Sequence, residues 1–357
     1  MSTQSAVRPP TPVEIADRLA RRVVGQEIAV RETAVALAKK LSGISTGNVL
    51  LIGSSGSGKT TLMRAVETLL EELPSHRSPV VRLHANVLGE VAEAGHPGAA
   101  VVRALMARVL ERNPGADAGE VLSLASRGLV FVDEVDKIRT RLGAEVHVRG
   151  IRAQEALLTL TEGERIDVEL PPALGGGGAE LDTSGLLFVA AGAFEGLYDA
   201  VFDRVTIGAD RGSLQPVTVM EAGRARQELP FRLRDWLRND DLYEYGMSPQ
   251  FLSRFDSKVL LDELSEEALI EILLRAPDSG YPQARRYFEA HGIELALSPA
   301  GAREVARAAL RRPRMGARAL REVFHLVVRD WEFDPSRVEG GVLVVDADEV
   351  EAALERA

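Results

Sequence analysis

Apolar and polar positions follow two rhythms along this chain. From Glu14 to Arg22 and from Glu27 to Leu41 apolar residues recur at helical spacing, among them Ile28, Val35 and the pair Leu37-Ala38. Asn48 to Ile52 (NVLLI) is a short continuous apolar run closed by a glycine, which reads as a buried strand. Helical spacing returns from Thr60 to Glu72, followed by a second strand over Pro79 to Leu83 and a helix over Val101 to Leu110. Three further apolar runs, Gly128 to Val132, Leu186 to Ala190 and Lys258 to Leu261, complete a set of five strands. Apolar strands alternating with amphipathic helices predict an α/β domain around a mostly parallel sheet.

Two stretches interrupt the alternation. Gly163 to Ser184 holds Pro171-Pro172 and Gly175 to Gly178, so it reads as a loop or hairpin, and Thr206 to Ser248 is too mixed to assign. After Leu264 the pattern becomes mostly helical. Ser265 is placed to cap a helix whose first turn carries Glu266 and Glu267, where the helix dipole favours negative charge. Helical spacing recurs over Ala300 to Arg311, Ala317 to Trp331 and Asp348 to Arg356, with a short strand at Val342 to Val345. The expected organisation is a flexible lead over 1–10, a large α/β domain over 11–262 and a small helical domain over 263–357, with no internal repeat. A chain of 357 residues has room for two such domains.

Composition adds mainly exclusions. At 45% hydrophobic and 27% charged residues the chain is an ordinary globular sequence. With 43 basic against 53 acidic residues its net charge is −10, which argues against a nucleic-acid partner. It has no cysteine, hence no disulfide, thiol nucleophile or cysteine-ligated zinc, and its six histidines show no metal-binding spacing. Nothing at the start reads as a signal peptide, and the longest apolar run, near Gly185 to Phe194, is too short for a membrane span, so a cytoplasmic protein is expected. Lysine occurs only at positions 39, 40, 59, 137 and 258, so almost every basic residue is arginine. Coding bias explains this pattern, and a lysine kept against it is a candidate for a role that needs lysine.

One of those lysines sits in the most informative motif. Gly53-Ser54-Ser55-Gly56-Ser57-Gly58-Lys59-Thr60 fits G-x-x-x-x-G-K-[ST] between a predicted buried strand and a predicted helix. Glycines let successive backbone N–H groups face phosphate oxygens, and the helix N-terminus adds positive potential. Lys59 supplies a compact ammonium for the β and γ phosphates, and the Thr60 hydroxyl is a ligand for Mg²⁺. The expected ATP-binding residues here are Ser55, Gly56, Ser57, Gly58, Lys59, Thr60 and Thr61. About 70 residues later the strand Leu129 to Val132 ends in Asp133-Glu134, at the sheet edge where ligands of parallel sheets bind. Asp133 is expected to hold Mg²⁺ with Thr60, and Glu134 to act as general base on the attacking water. Asp136 and Lys137 are expected to pair with each other or face solvent.

These motifs, with others along the chain, resemble the ClpX unfoldases of the AAA+ ATPase family. The resemblance runs from about Pro10 almost to the end. Thr11-Pro12, Glu14-Ile15 and Val23-Val24-Gly25-Gln26-Glu27 are similar to the entry segment that packs on adenine in ClpX, which implies adenine contacts for Val23 and Val24. Leu129 to Ile138, Gln154 to Gly163, Asp182-Thr183-Ser184, Ala191 to Phe194, Phe251-Leu252-Ser253-Arg254, Glu263 to Leu269 and Met315 to Arg321 carry the rest. It implies that Arg254 is an arginine finger reaching the γ-phosphate of a neighbouring subunit, and that Arg318 contacts the phosphates of its own subunit. Extra positive charge on the phosphate oxygens favours phosphoryl transfer, and an arginine donated across an interface couples hydrolysis to assembly. The resemblance further implies a homo-oligomeric ring, a hexamer, with ATP and Mg²⁺ as cofactors and a protein as substrate.

The sequence departs from ClpX where substrates and partners act. The zinc-binding N-domain is expected to be absent. The pore-loop position reads Gly95-His96-Pro97-Gly98, with histidine in place of the aromatic residue and proline after it. The segment matching the basic substrate-selecting loop, Pro171 to Glu180, has no basic residue, and a second pore loop aligns near Val146 to Gly150, where Arg149 is either a channel-facing cation or a plain solvated arginine. Where ClpX carries the tripeptide that docks its peptidase, this chain has Ile207-Gly208-Ala209 without an aromatic anchor. No polar side chain occupies Ala190-Ala191, where most relatives place a polar sensor. The expectation is an ATP-dependent remodelling ring without ClpP as partner, against two alternatives: the ATPase subunit of a Clp-type protease, or a nucleotide-controlled assembly scaffold.

Overall fold

Five apolar runs meet in one parallel sheet: β1 (Asn48–Ile52), β2 (Val80–His84), β3 (Leu129–Asp133), β4 (Leu187–Gly192) and β5 (Phe255–Leu260), in the spatial order β5-β1-β4-β3-β2. The computed structural model describes residues 8–73, 77–90, 98–208, 210, 214, 217–221, 224–228, 231–312 and 315–356. Every residue of β1 and β4 is buried, because a parallel sheet covered on both faces has no polar side. At the edge, β5 buries only Phe255 and Val259, and its front half also carries the polar Asp256 and Ser257, so it does not read as a buried run and the strand begins three residues earlier than its apolar pattern. A register shift between Asn48 and Val49 opposite β5 is spanned by the Asn48 side chain. Its Nδ2 donates to the Arg254 carbonyl at 2.9 Å and its Oδ1 accepts from the Phe188 N–H at 2.9 Å.

The chain forms two compact units that interleave in sequence, one of residues 43–52 and 76–260, the other of residues 1–42, 53–75 and 261–357. In the sheet-bearing unit, Leu105, Leu157, Val201 and Phe251 from four helices pack with Leu50, Val130, Val132 and Phe188 from the strands. The interrupted stretch after Gly163 is a hairpin, Arg165–Glu169 against Gly178–Asp182, with Ile166, Val168 and Leu181 buried on one face. The stretch left unassigned contains a second hairpin, Val217–Glu221 with Arg224–Glu228, then short helices Leu233–Trp236 and Asn239–Tyr245. Arg204 anchors this region by a two-pronged pair with Asp241 at 2.7 and 2.9 Å and a bond to the Trp236 carbonyl.

The second unit is mostly helical. Its N-terminal helix, Pro12–Ala20, starts with a capping box: Thr11 Oγ1 accepts from the Glu14 N–H, and the Glu14 carboxylate accepts from the Thr11 N–H. The next helix, Glu27–Leu41, buries Ala29, Val30, Ala34 and Leu37, whereas Ile28 points outward. From Leu261 onward the helices Glu266–Arg275, Gly280–Ala290, Pro299–Leu310, Ala317–Phe333 and Ala347–Glu355 enclose Leu273, Phe288, Val305, Val323, Phe324 and Val350. A parallel two-stranded ladder, Glu294–Leu297 with Val342–Val345, joins them. Ser265 caps its helix as expected, accepting from the Ala268 N–H at 3.2 Å. Among the described residues no helix is long and apolar enough to cross a membrane.

Candidate functional site

The chain runs from β1 at Ile52 straight into the loop Gly53–Gly58, and Gly58 is the N-cap of the helix Lys59–Glu71. Gly56 and Gly58 have φ of +74° and +104°, the left-handed region that favours glycine. At Gly56 space is as strict as conformation, because a Cβ there would lie 2.1 Å from the Met315 carbonyl oxygen. Gly56 in turn accepts a hydrogen bond from the Ala317 N–H at 3.1 Å. The loop therefore rests, backbone on backbone, against the start of the helix Ala317–Phe333. Arg318, exposed in the first turn of that helix, is one residue beyond this contact, and its own N–H donates to Met315.

Lys59 is buried, and its Nζ donates to the carbonyls of Gly53 at 2.5 Å and Ser54 at 2.7 Å. The Ser57 Oγ is buried and has no hydrogen-bond partner among the described residues. A buried ammonium and an unsatisfied hydroxyl in a glycine cradle are donors suited to phosphate oxygens. Thr60 is half-buried and Thr61 exposed at the start of the helix. Val23, buried, and Val24, half-buried, lie between the first two helices of the same unit. Close by in sequence, Gln26 is 2% exposed and makes three hydrogen bonds of 2.9 Å: its Nε2 donates to the carbonyls of Ser57 and Asp262, and its Oε1 accepts from the Asp262 N–H. Sequence reading placed Gln26 in a motif but gave it no task.

In the sheet-bearing unit β3 ends at Asp133, whose carbonyl accepts from the Ala85 N–H and whose Oδ1 accepts from the Glu134 N–H at 2.9 Å. Glu134 adopts φ +58° and ψ +37°, an unusual conformation for a residue with a side chain, and half of its side chain is exposed. The Nδ1 of His84, at the end of the neighbouring β2, lies 3.7 Å from Glu134 Oε2. Asp136 is buried rather than facing solvent. Its Oδ1 accepts from the Ala193 N–H at 3.0 Å and its Oδ2 lies 3.8 Å from Lys137 Nζ, so the expected pairing with Lys137 is present. Burial first, then the negative charge of Asp136, pushes the Tyr245 phenol up to about 12, although the Arg139 guanidinium lies over the Tyr245 ring.

Arg254 follows the short helix Pro249–Leu252 and leads into β5. Its Nη2 donates to Glu162 Oε1 at 2.8 Å, so its partner is neither Asp133 nor Glu134. Gly98 is the N-cap of the helix Ala99–Arg112 at φ +89°, while Gly95, His96 and Pro97 lie outside the described residues. Arg149 is exposed near the start of the helix Val148–Thr161. Ile207 is 75% exposed past the end of the helix Leu197–Thr206, and Ala209 lies outside the described residues. Glycines Gly175 to Gly177, all at positive φ, turn the chain between the strands of the first hairpin. Among the described residues no group of three histidines or carboxylates gathers as a ready metal site.

Comparison with known proteins agrees with this chemistry. The family model described as "AAA domain (Cdc48 subfamily)" matches residues 44–258. The chain is 30% identical to the ATP-dependent Clp protease ATP-binding subunit ClpX 3 of Methylococcus capsulatus, over 96% of this chain and 80% of that protein. It is 30% identical to the ATP-dependent Clp protease ATP-binding subunit ClpX of Azotobacter vinelandii, over 91% of this chain and 74% of that protein. The corresponding subunit of Treponema denticola is 30% identical over 93% of this chain and 79% of its own length.

Proposed function

Since the chain belongs to the ClpX family of AAA+ ATPases, binding and hydrolysing ATP as an ATP-dependent unfoldase subunit, we propose that it works as a homo-hexameric remodelling ring in the cytoplasm without a peptidase partner. The observation that carries the nucleotide half of this reading is the buried Lys59 ammonium in a glycine loop bonded at Gly56 to the segment before Arg318. In this reading Ser55 to Thr61 cradle the phosphates, Val23 and Val24 line the adenine, and Arg318 contacts the phosphates of its own subunit. Thr60 and Asp133 offer Mg²⁺ the hard oxygen ligands it prefers. Bound there, the ion would neutralise charge on the phosphate oxygens. Glu134 takes the proton of the attacking water, and Arg254 reaches the nucleotide of the neighbouring subunit. The large domain spans 11–262 and the small helical domain 263–357.

Working without a peptidase is supported by the docking position, where Ile207 is exposed but Ile207-Gly208-Ala209 offers no aromatic anchor. A phenylalanine hook buried in an apolar pocket contributes about 1.5–3 kcal/mol, repeated around a ring. The relatives' names favour the second reading, an ATPase subunit of a Clp-type protease. Purifying the Glu134→Gln protein in ATP and identifying what it retains tests both. Retention of one remodelling client supports the first, and retention of a peptidase supports the second.

A further inference from the structure

We propose that Glu162 is a positioning residue for Arg254, fixing its guanidinium for delivery to the neighbouring subunit. This rests on Arg254 acting in trans, as proposed above. Two independent anchors already hold the backbone at Arg254. Asn48, buried at the register shift of β1, donates to the Arg254 carbonyl. Gln154, also buried, accepts from the Ser248 N–H, and Ser248 caps the helix that ends just before Arg254.

The side chain is held from the same helix. Gln154 belongs to Val148–Thr161, and Glu162 is the C-cap of that helix, its N–H bonded to the Leu158 carbonyl at 3.0 Å. Leu157 and Leu160 fix the helix in the core. Glu162 Oε1 therefore projects from a rigid end, and it accepts from Arg254 Nη2 at 2.8 Å. Among the described residues the buried Arg254 Nε has no hydrogen-bond partner, and the bond from Nη2 to the Glu162 carboxylate is what holds the guanidinium. The side chains of both residues remain about one-third exposed, 38% for Arg254 and 31% for Glu162. One edge of the guanidinium is thus anchored while the group stays accessible. A freely rotating arginine would have to be ordered each time it met the phosphate, and misplacement of a catalytic group by about 1 Å can cost a hundredfold in rate.

The test is steady-state ATP hydrolysis by assembled rings of the full chain, with ring size checked by light scattering. Glu162→Ala should lower kcat about tenfold with KM within about threefold. Glu162→Gln, which keeps an oxygen able to accept from Nη2, should retain at least half of the wild-type kcat. Mixing Glu162→Ala subunits with Glu134→Gln subunits, whose arginines are intact, should raise turnover per Glu162→Ala subunit toward wild type. A defect confined to the subunit's own site would not respond to the mixing. Should the alanine variant not assemble, Glu162→Ser, too short to reach the guanidinium, takes its place. A Glu162→Ala kcat within twofold of wild type, with Arg254→Ala inactive, overturns the positioning role and leaves the trans role of Arg254 standing. So does a slow Glu162→Ala that mixing fails to restore. An Arg254→Ala ring that hydrolyses normally removes both.

Discussion

Gln26 is the sharpest place to perturb the phosphate loop without touching a phosphate ligand. Its amide bridges Ser57, in the loop, and Asp262, at the first residues after β5, through three hydrogen bonds of 2.9 Å. A net contribution of about 0.5–1.5 kcal/mol per bond gives about 1.5–4.5 kcal/mol for the three. Gln26→Ala removes all three and leaves two carbonyls and one N–H unsatisfied in a site that is only 2% exposed. Gln26→Glu is the stricter variant, because it keeps the shape and the bond from the Asp262 N–H. Its carboxylate has no hydrogen to give Ser57 or Asp262, and it places a negative charge against both carbonyl oxygens. Hydrogen exchange followed by mass spectrometry reads the effect locally, which suits a chain of two units better than a single unfolding midpoint. A loss of about 1.5–4.5 kcal/mol corresponds to exchange faster by about 10- to 2,000-fold at amides of the loop and of Asp262. ATP affinity should fall about tenfold or more in both variants, since the loop must then be ordered at the cost of binding. A Gln26→Glu protein with unchanged exchange and unchanged ATP affinity would refute the bridge as the source of loop order.

The other predictions concern chemistry and partners. Lys59→Ala should abolish tight ATP binding, while Glu134→Gln should bind ATP and hydrolyse it about 10²–10⁴-fold more slowly. Fluorescent-nucleotide titration and phosphate release separate the two, and normal turnover by Glu134→Gln would remove the general base. Of the five tyrosines, Tyr245 should titrate near pH 12 by ultraviolet absorbance, and Tyr245→Phe should delete that step. Because burial raises its folded value above the ordinary 10, the stability it contributes is complete below pH 10 and lost as pH rises through about 12. Mixed with a ClpP peptidase and ATP, the protein should not degrade an unfolded model substrate, and degradation would establish the protease reading.

What the sequence made legible was what one short segment encodes by itself. Three strands, β1, β3 and β4, announced themselves as apolar runs because central strands buried on both faces carry no alternation to hide them, and β2, at the other edge of the sheet, was legible from its buried Val80-Val81. The front of β5 was hidden because it carries the polar pair Asp256-Ser257, the first exposed and the second half-buried. The helix Gly280–Ala290 was missed because it opens with glycine and carries Pro282, yet that proline falls in the first turn, where no backbone N–H is needed. Gly150 obscured the helix Val148–Thr161, although the position admits nothing larger: a Cβ there would lie 2.0 Å from the Arg139 carbonyl oxygen. At the site, the loop and the pair Asp133-Glu134 were legible because their residues are adjacent. Gln26, Asn48, His84 and Glu162 were not, because each acts on a residue tens to hundreds of positions away and only folding brings the two together.

The connectivity gives these distant contacts a mechanical meaning. β1 and β5 are parallel neighbours, and their last residues, Ile52 and Leu260, are paired in register. One residue later each chain has passed into the other unit, at Gly53 and Leu261. There the two exits run so close that a Cβ on Gly53 would sit 2.8 Å from that of Leu261. Gln26 joins the same two exits slightly further on, at Ser57 and Asp262, and the Ala317 N–H holds Gly56 between them. The phosphate loop is thus bonded directly to Gln26 and Ala317, and through the Gln26 amide to Asp262, by contacts of 2.9 to 3.1 Å. A displacement of the segment at Asp262 or at Ala317 must move the loop backbone or break a bond worth about 1 kcal/mol. By the same reciprocity, a ligand that fixes the loop biases where those two segments rest.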